Sequence, residues 1–203
     1  MKKSVNTLLN IIDQNHLTVI GAEQYYEAKV PTIGKMNARV DYVLTDSNGD
    51  YVIIDFKWNE STTYKKKLEQ NDALQLAVYK AVMEKYMKDN KDKHKVCFMG
   101  YYALPRYTLY TVYSNLKHDN IEVVVPDNSN DLMNLAENSY SYRMEQLKSG
   151  LIEEGESMEL ANLQYVKDTL SKQLYPLRGD YNDNTLKATS YGKQNIVLKG
   201  GLE

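Results

Sequence analysis

Two apolar segments separated by a short polar turn constrain the fold of this chain more than any other feature. The segments cover residues 39–44 and 51–58, and residues 45–50 form the turn between them. The turn contains an Asn48-Gly49 pair, and the flanking runs are rich in β-branched and aromatic side chains. This combination is typical of a β-hairpin.

The second strand of this hairpin carries charge inside an apolar run. Side chains alternate in direction along a strand. One face should therefore present Tyr51, Ile53, Asp55 and Lys57. The other face, which we expect to be core, should present Val52, Ile54, Phe56 and Trp58.

The length of the hairpin loop decides whether Asp41 lies beside Asp55. A two-residue loop would pair Tyr42 with Asp55 and turn Asp41 to the opposite face. A three-residue loop places Gly49 at the left-handed position of a type I turn with a G1 bulge, so we favour it. The expected cross-strand pairs are then Asp46 with Asp50, Asp41 with Asp55, and Arg39 with Lys57.

Two directly opposed carboxylates are destabilising as a cross-strand pair because like charges repel. The positions of Asp41 and Asp55 therefore require a compensating positive charge. A divalent cation, together with the nearby Lys57 ammonium, would supply it. The sequence thus predicts a metal site at this hairpin.

The order of these residues resembles the PD-(D/E)XK nuclease superfamily. The resemblance rests on Asp41, on Asp55-Phe56-Lys57 at the end of an apolar strand, and on a Gln75-x-x-x-Tyr79 element on a following helix. The Gln-x-x-x-Tyr element is similar to that of the RecB-like exonuclease branch. The motif-bearing part covers about residues 19–79, and residues 101–104 continue it.

The resemblance implies an Mg²⁺- or Mn²⁺-dependent nuclease that hydrolyses DNA. It makes Asp41 and Asp55 metal ligands, with the Phe56 backbone carbonyl completing the protein ligands. Lys57 would orient or help to deprotonate the attacking water and stabilise charge in the transition state. Gln75 and Tyr79 would contact the nucleic acid or steady the catalytic strand.

Two further residues are candidate metal ligands by the same resemblance. Related nucleases often place a histidine or an acid ahead of the first aspartate, and His16 is the histidine in that position. An exposed or capping role for His16 is the stronger interpretation. Glu23 and Glu27 share a strand face before Asp41, and a supporting or structural role on an exposed edge-strand face is a stronger interpretation for them than metal ligation.

The rest of the chain indicates an α/β protein, and the resemblance implies a restriction-endonuclease-like core with a central mixed β-sheet flanked by helices. The pattern predicts strands at residues 18–30, 96–104, 107–113 and 121–125, and helices at 64–88, 131–150 and 158–174. The strand at 96–104 should run parallel to that of Asp55, because it follows a helical crossover. We expect one domain over residues 1–203, with a core of about 17–172 and an extension, 173–203, of no assigned role.

Composition limits the classes of partner and the cellular compartment that we expect for this chain. The net charge is -2, so the chain is not a strongly basic nucleic-acid binder, although local basic residues can still contact DNA, single- or double-stranded. The single cysteine, Cys97, excludes a four-cysteine iron–sulfur cluster and indicates a reducing, cytoplasmic location. No apolar run approaches membrane-spanning length. A helicase or a recombination protein is a further partner suggested by the resemblance.

Three rival interpretations remain open at the level of sequence. The chain could be a structure-specific endonuclease or resolvase with the same chemistry. It could be a non-catalytic domain of the same fold that binds nucleic acid. It could also be an unrelated α/β domain in which Asp55 and Lys57 form a surface ion pair.

Overall fold

The structure is a computed structural model that describes residues 1–58 and 62–148. The helices are α1 (Lys2–Gln14), α2 (Thr63–Glu69), α3 (Leu74–Asp89) and α4 (Leu132–Lys148). The strands are β1 (Thr18–Val30), β2 (Gly34–Thr45), β3 (Tyr51–Lys57), β4 (Val96–Ala103), β5 (Thr108–Thr111) and β6 (Ile121–Val123). None of these helices is long and apolar enough to cross a membrane.

The chain divides into a unit of residues 1–137 and a unit of residues 138–203. The fold and the site described below belong to the first unit. The helix predicted at 158–174 and the extension at 173–203 lie outside the described residues. A single domain with a core of about 17–172 therefore stays a prediction.

The six described strands form one mixed sheet in the order β1-β2-β3-β4-β5-β6. β3 runs parallel to β4, as the crossover through α2 and α3 predicts, and β5 runs parallel to β6. The other neighbours are antiparallel. With helices packed on it, this sheet is the mixed α/β core that the sequence predicts, and the fold class is confirmed.

β3 is covered on both faces, and the prediction of a single core face is wrong. Ile53 packs in the cluster that contains α3 residues, while Val52 and Ile54 pack in the cluster that contains Ile11 of α1. Trp58, predicted to be in the core, is 69% exposed because the strand ends one residue before it. A strand between two layers of helices must be apolar on both sides, so the burial of Asp55 within it is the exception that positions the site.

The hairpin between β2 and β3 has the predicted three-residue loop. Asp46 N–H donates to Asp50 O (2.9 Å), and Gly49 adopts a φ of 84°, in the left-handed region. The strand pairs run from Thr45–Tyr51 to Tyr42–Ile54, which is the register that sets Asp41 opposite Asp55.

The predicted pairing of Arg39 with Lys57 is wrong. The β2–β3 ladder ends at Tyr42, and Arg39 lies opposite Tyr25 of β1. Lys57 has its strand partner on the other side, at Ala103 of β4. Residues 34–41 of β2, which precede this ladder in the chain, therefore pair with β1 and not with β3, and they form a two-stranded ribbon with it.

The helix predicted over 64–88 is two helices, α2 and α3. Asn71 between them adopts a φ of 51°, a left-handed conformation that asparagine tolerates and that ends a helix. Its side-chain amide donates to Asn128 Oδ1 (2.8 Å) and to the carbonyl of Asn130 (2.9 Å). These contacts come from a segment more than fifty residues away, so local periodicity could not reveal the break.

Candidate active site

Asp55 is the buried centre of the site. Its side chain is 1% exposed. It lies near the carboxyl end of β3, the strand that has β2 on one side and β4 on the other. Placing a carboxylate in an apolar layer costs free energy unless other polar groups surround it. The polar residues that surround Asp55 therefore bear directly on the function of this position.

The first partner of Asp55 is Gln75, in the first turn of α3. Gln75 Nε2 donates to Asp55 Oδ1 (3.0 Å) and to the hydroxyl oxygen of Tyr79 (2.7 Å). Gln75 Oε1 accepts a hydrogen bond from Lys57 Nζ (3.0 Å). Because Gln75 and Tyr79 are four residues apart on one helix face, a single amide joins the strand carboxylate, the strand ammonium and the helix tyrosine.

The second carboxylate oxygen of Asp55 lies beside an ammonium but accepts no hydrogen bond. Lys57 Nζ is 2.5 Å from Asp55 Oδ2, which defines a close ion pair. Yet among the described residues no donor meets this buried oxygen with hydrogen-bond geometry. The short distance establishes the charge contact, although the ammonium does not meet this oxygen at a hydrogen-bonding angle.

The protonation of Asp55 reflects these opposing influences. Burial raises the pKa of Asp55, the ammonium of Lys57 lowers it, and the negative charge of Asp41 raises it again, with burial dominant. Burial likewise raises the pKa of Tyr79. An additional positive charge near Asp55 would therefore stabilise the ionised form of its carboxylate.

Asp41 faces Asp55 across the point where β2 and β3 separate. Its Oδ2 accepts a hydrogen bond from the backbone N–H of Phe56 (2.8 Å), so this side chain takes the place of the next ladder bond. The contact fixes Asp41 against the residue that follows Asp55. The structure thus brings Asp41, Asp55, Lys57, Gln75 and Tyr79 together.

Two tyrosine rings lie close to the Lys57 ammonium. Lys57 Nζ lies 5.1 Å from the ring centre of Tyr64 and 5.5 Å from that of Tyr101. The two rings contact each other, with centres 5.0 Å apart. The Lys57 side chain is consequently only 15% exposed.

Comparison with known proteins identifies the family. The family model of the PD-(D/E)XK nuclease superfamily matches residues 4–161. The chain belongs to this superfamily. A search of curated proteins finds no match to the chain.

Members of the PD-(D/E)XK superfamily typically use divalent metal ions, and the donors present here suit one. The site offers two carboxylates, of which Asp55 keeps a buried oxygen without a hydrogen bond. No cluster of three or more histidine, cysteine or acidic side chains occurs among residues 1–58 and 62–148. Mg²⁺ is commonly held by one or two carboxylates together with water and substrate phosphate, so two carboxylates are sufficient.

The two additional candidate ligands do not join this pair, although Glu23 lies opposite Asp41 in the β1–β2 register, between Ala22 and Gln24. His16 is exposed after α1, beside the end of β1 that pairs with Thr45 at the hairpin turn. The Glu23 carboxylate forms an ion pair with Arg39 Nε (2.6 Å) in the exposed ribbon. Neither joins Asp41 and Asp55 in a cluster of three potential ligands.

Sequence reasoning missed the enclosure of Lys57 by aromatic rings. For Tyr101 a partial signal existed, because the crossover predicts that its strand runs parallel to that of Asp55, and the structure then pairs it with Asp55. For Tyr64 no signal existed, since it precedes the Gln-x-x-x-Tyr element by a helix and a break. Only the tertiary packing of α2 brings its ring to the site.

Proposed function

We propose that this chain is a metal-dependent deoxyribonuclease of the RecB-like branch that degrades DNA from its ends. The observation that carries the proposal is the continuous set of contacts among Asp55, Lys57, Gln75 and Tyr79, with Asp41 on the same side of the break in the sheet. Each residue type meets a requirement of phosphodiester hydrolysis.

The two aspartates are the proposed metal ligands, and the Phe56 carbonyl is the proposed backbone ligand. A bound Mg²⁺ or Mn²⁺ would polarise the phosphoryl oxygens and acidify a water molecule. Asp55 supplies a buried carboxylate whose Oδ2 is in an ion pair with Lys57, and Asp41 is held in place through the Phe56 amide. Hard oxygen donors of this kind favour Mg²⁺ and Mn²⁺ over softer metals.

Lys57 is the proposed catalytic cation. Its ammonium is confined beside the carboxylates, where it can orient the attacking water and balance charge that develops on the phosphoryl oxygens. Gln75 fixes its direction through a 3.0 Å hydrogen bond. Group positions that are set before the substrate arrives need no reorganisation during the reaction.

The assignment to the RecB-like branch is supported by the direct contacts of the Gln-x-x-x-Tyr element. Gln75 touches both Asp55 and Lys57, and Tyr79 anchors the amide that does so. In an unrelated α/β domain, nothing would require these helix residues to reach the strand carboxylate. These contacts support a role for the element in the proposed site.

A cleavage assay with matched substrates tests the proposal. Linear and closed-circular DNA, each single- and double-stranded, and RNA of the same sequence are incubated with and without Mn²⁺, with Asp55→Asn as the inactive control. We expect Mn²⁺-dependent loss of linear DNA while circles survive. Cleavage of circles would assign an endonuclease, and RNA cleavage alone would reassign the substrate. No Mn²⁺-dependent cleavage of any of these substrates would remove the nuclease proposal.

A further inference from the structure

Lys57 has more partners than an ion pair requires, and two of them are aromatic rings. Its ammonium contacts Asp55 Oδ2 and Gln75 Oε1, and it also lies over the faces of Tyr64 and Tyr101. A ring face attracts a cation through its quadrupole, most strongly where water is excluded. The low exposure of Lys57 places this site in that category.

We propose that Tyr64 and Tyr101 are positioning residues for the Lys57 ammonium. The inference rests on the proposed catalytic role of Lys57 and extends it to residues outside the family motif. The two ring faces hold the ammonium beside the carboxylates. Because the rings are neutral, they do not compete with the ammonium for the carboxylate oxygens.

The need for neutral partners of Lys57 follows from the position of its ion pair with Asp55. Asp55 Oδ2, which lies 2.5 Å from Lys57 Nζ, is also the oxygen available to a divalent cation. When Asp55 is bound to a cation, Lys57 loses much of this attraction and is repelled by the new charge. The ring faces and Gln75 then remain as its partners, because neutral rings are not ligands for a hard cation.

The two rings differ in how firmly they are fixed. Tyr101 is 1% exposed, in register with Asp55 on β4, and belongs to the core. Tyr64 is only partly buried on α2, and its ring also lies 5.5 Å from Lys67 Nζ. Removing the Tyr101 ring would leave a cavity in the core, so Tyr64 is the better position for a test.

The kinetic test compares Tyr64→Leu with Tyr64→Phe, which keeps the ring face. Cation–π contacts of this kind correspond to about a 3- to 30-fold fall in kcat for Tyr64→Leu. We expect KM and the Mn²⁺ affinity measured by calorimetry to stay at wild-type values, and Tyr64→Phe to recover most of the kcat. Unchanged kcat in Tyr64→Leu, or a loss in Tyr64→Phe as large as in Tyr64→Leu, would overturn the proposal.

Tyr26→Leu is the matched control for a general loss of packing. Tyr26 is also partly buried against the same core cluster and pairs with another tyrosine ring, Tyr86, at 5.3 Å. It should lower thermal stability without changing kcat per folded molecule. An equal fall in kcat for Tyr26→Leu and Tyr64→Leu would show that the effect of Tyr64 is only structural.

A spectroscopic measurement tests the position of Lys57 without any cleavage. In protein labelled with ¹³C-lysine, the ε-methylene protons of Lys57, assigned by their loss in Lys57→Arg, should be shifted upfield by the ring currents of Tyr64 and Tyr101. Tyr64→Leu should move them toward the ordinary lysine position, and Tyr26→Leu should not. If the wild-type shift is ordinary, or Tyr64→Leu leaves it unchanged, the rings do not hold Lys57. An upfield shift in a protein that cleaves nothing would separate failure of the proposed function from failure of this inference.

Discussion

The same sheet holds two pairs of opposite charges that are similar in distance and very different in exposure. Arg39 and Glu23, in the ribbon of β1 and β2, approach to 2.6 Å with side chains that are 71% and 56% exposed. Lys57 and Asp55 approach to 2.5 Å with side chains that are 15% and 1% exposed. Distance alone would rank the two pairs as equal.

Burial separates these two pairs in both energy and purpose. Water screens the exposed pair, and such pairs contribute about 0–1 kcal/mol to stability. The buried pair has lost its hydration, and a buried ion pair is weak support for stability even when its geometry is good. The burial of the Lys57–Asp55 pair therefore supports the proposed active site, whereas the Arg39–Glu23 pair requires no function.

The largest effects should come from separating the two members of the buried pair. Asp55→Asn should lose both Mn²⁺ binding and cleavage, since an amide of the same shape cannot replace a charged ligand of a hard cation. Lys57→Ala should lose cleavage by about 10²–10⁴-fold. It should keep or slightly improve Mn²⁺ affinity, because a competing positive charge is gone.

Calorimetric Mn²⁺ titration beside a cleavage assay measures these two properties independently. Folded protein must first be verified for each variant by circular dichroism. Wild-type cleavage by Lys57→Ala would refute its catalytic assignment. Loss of Mn²⁺ binding in Lys57→Ala would instead make the lysine part of the architecture that holds the carboxylates.

The second effect concerns stability in the presence of metal. A ligand that binds only the folded state, at a free concentration 100 times its Kd, raises the free energy of unfolding by about 2.7 kcal/mol. Wild-type protein should show this increase on addition of Mn²⁺, and Asp55→Asn should not. Chemical denaturation with Mn²⁺ and with a chelator checks it; equal stabilisation of both proteins would place the metal elsewhere.

The hairpin is a part of this site that could be predicted from the sequence. A three-residue loop needs a residue in the left-handed conformation at position 49, where the chain has glycine, and this loop gives the register that sets Asp41 opposite Asp55. The parallel direction of β4 beside β3 follows from the crossover rule. Local chemistry was sufficient here because the residues that decide the structure are adjacent in the chain.

The parts that were not predictable depend on contacts between distant residues. Asn71 ends α2 through partners near residue 130, and Trp58 is exposed because β3 ends before it. The ring of Tyr64 reaches Lys57 only through the packing of α2. Alternation and helical periodicity report on neighbours in sequence, so they do not contain this information.

A smaller effect is expected from the helix residues that steady the buried pair. Gln75→Ala removes hydrogen bonds to both Asp55 and Lys57, and we expect a fall in the cleavage rate of about tenfold, since hydrogen bonds to charged groups contribute about 1.5–3 kcal/mol and water recovers part of this. Tyr79→Phe should weaken cleavage less, because only the anchor of Gln75 is lost.

Thermal denaturation separates a role in the site from a role in the core for this pair. Both variants should unfold within a few degrees of wild type. A fall in melting temperature of several degrees with unchanged activity per folded molecule would make Gln75 and Tyr79 structural.

The smallest effect should come from the exposed pair, and it sharpens the comparison most directly. Glu23→Gln removes the charge of a residue that the family pattern offers as a metal ligand, yet its carboxylate is bound to Arg39 and mostly exposed. We expect the free energy of unfolding to change by about 0–1 kcal/mol and less at high salt, where exposed charges are screened. Mn²⁺ affinity should equal that of wild type, in contrast to Asp55→Asn. Arg39→Gln provides the control, because it leaves the Glu23 carboxylate free. If Glu23→Gln weakens Mn²⁺ binding and Arg39→Gln strengthens it, then Glu23 leaves Arg39 to bind the metal, and exposure alone does not distinguish the two pairs.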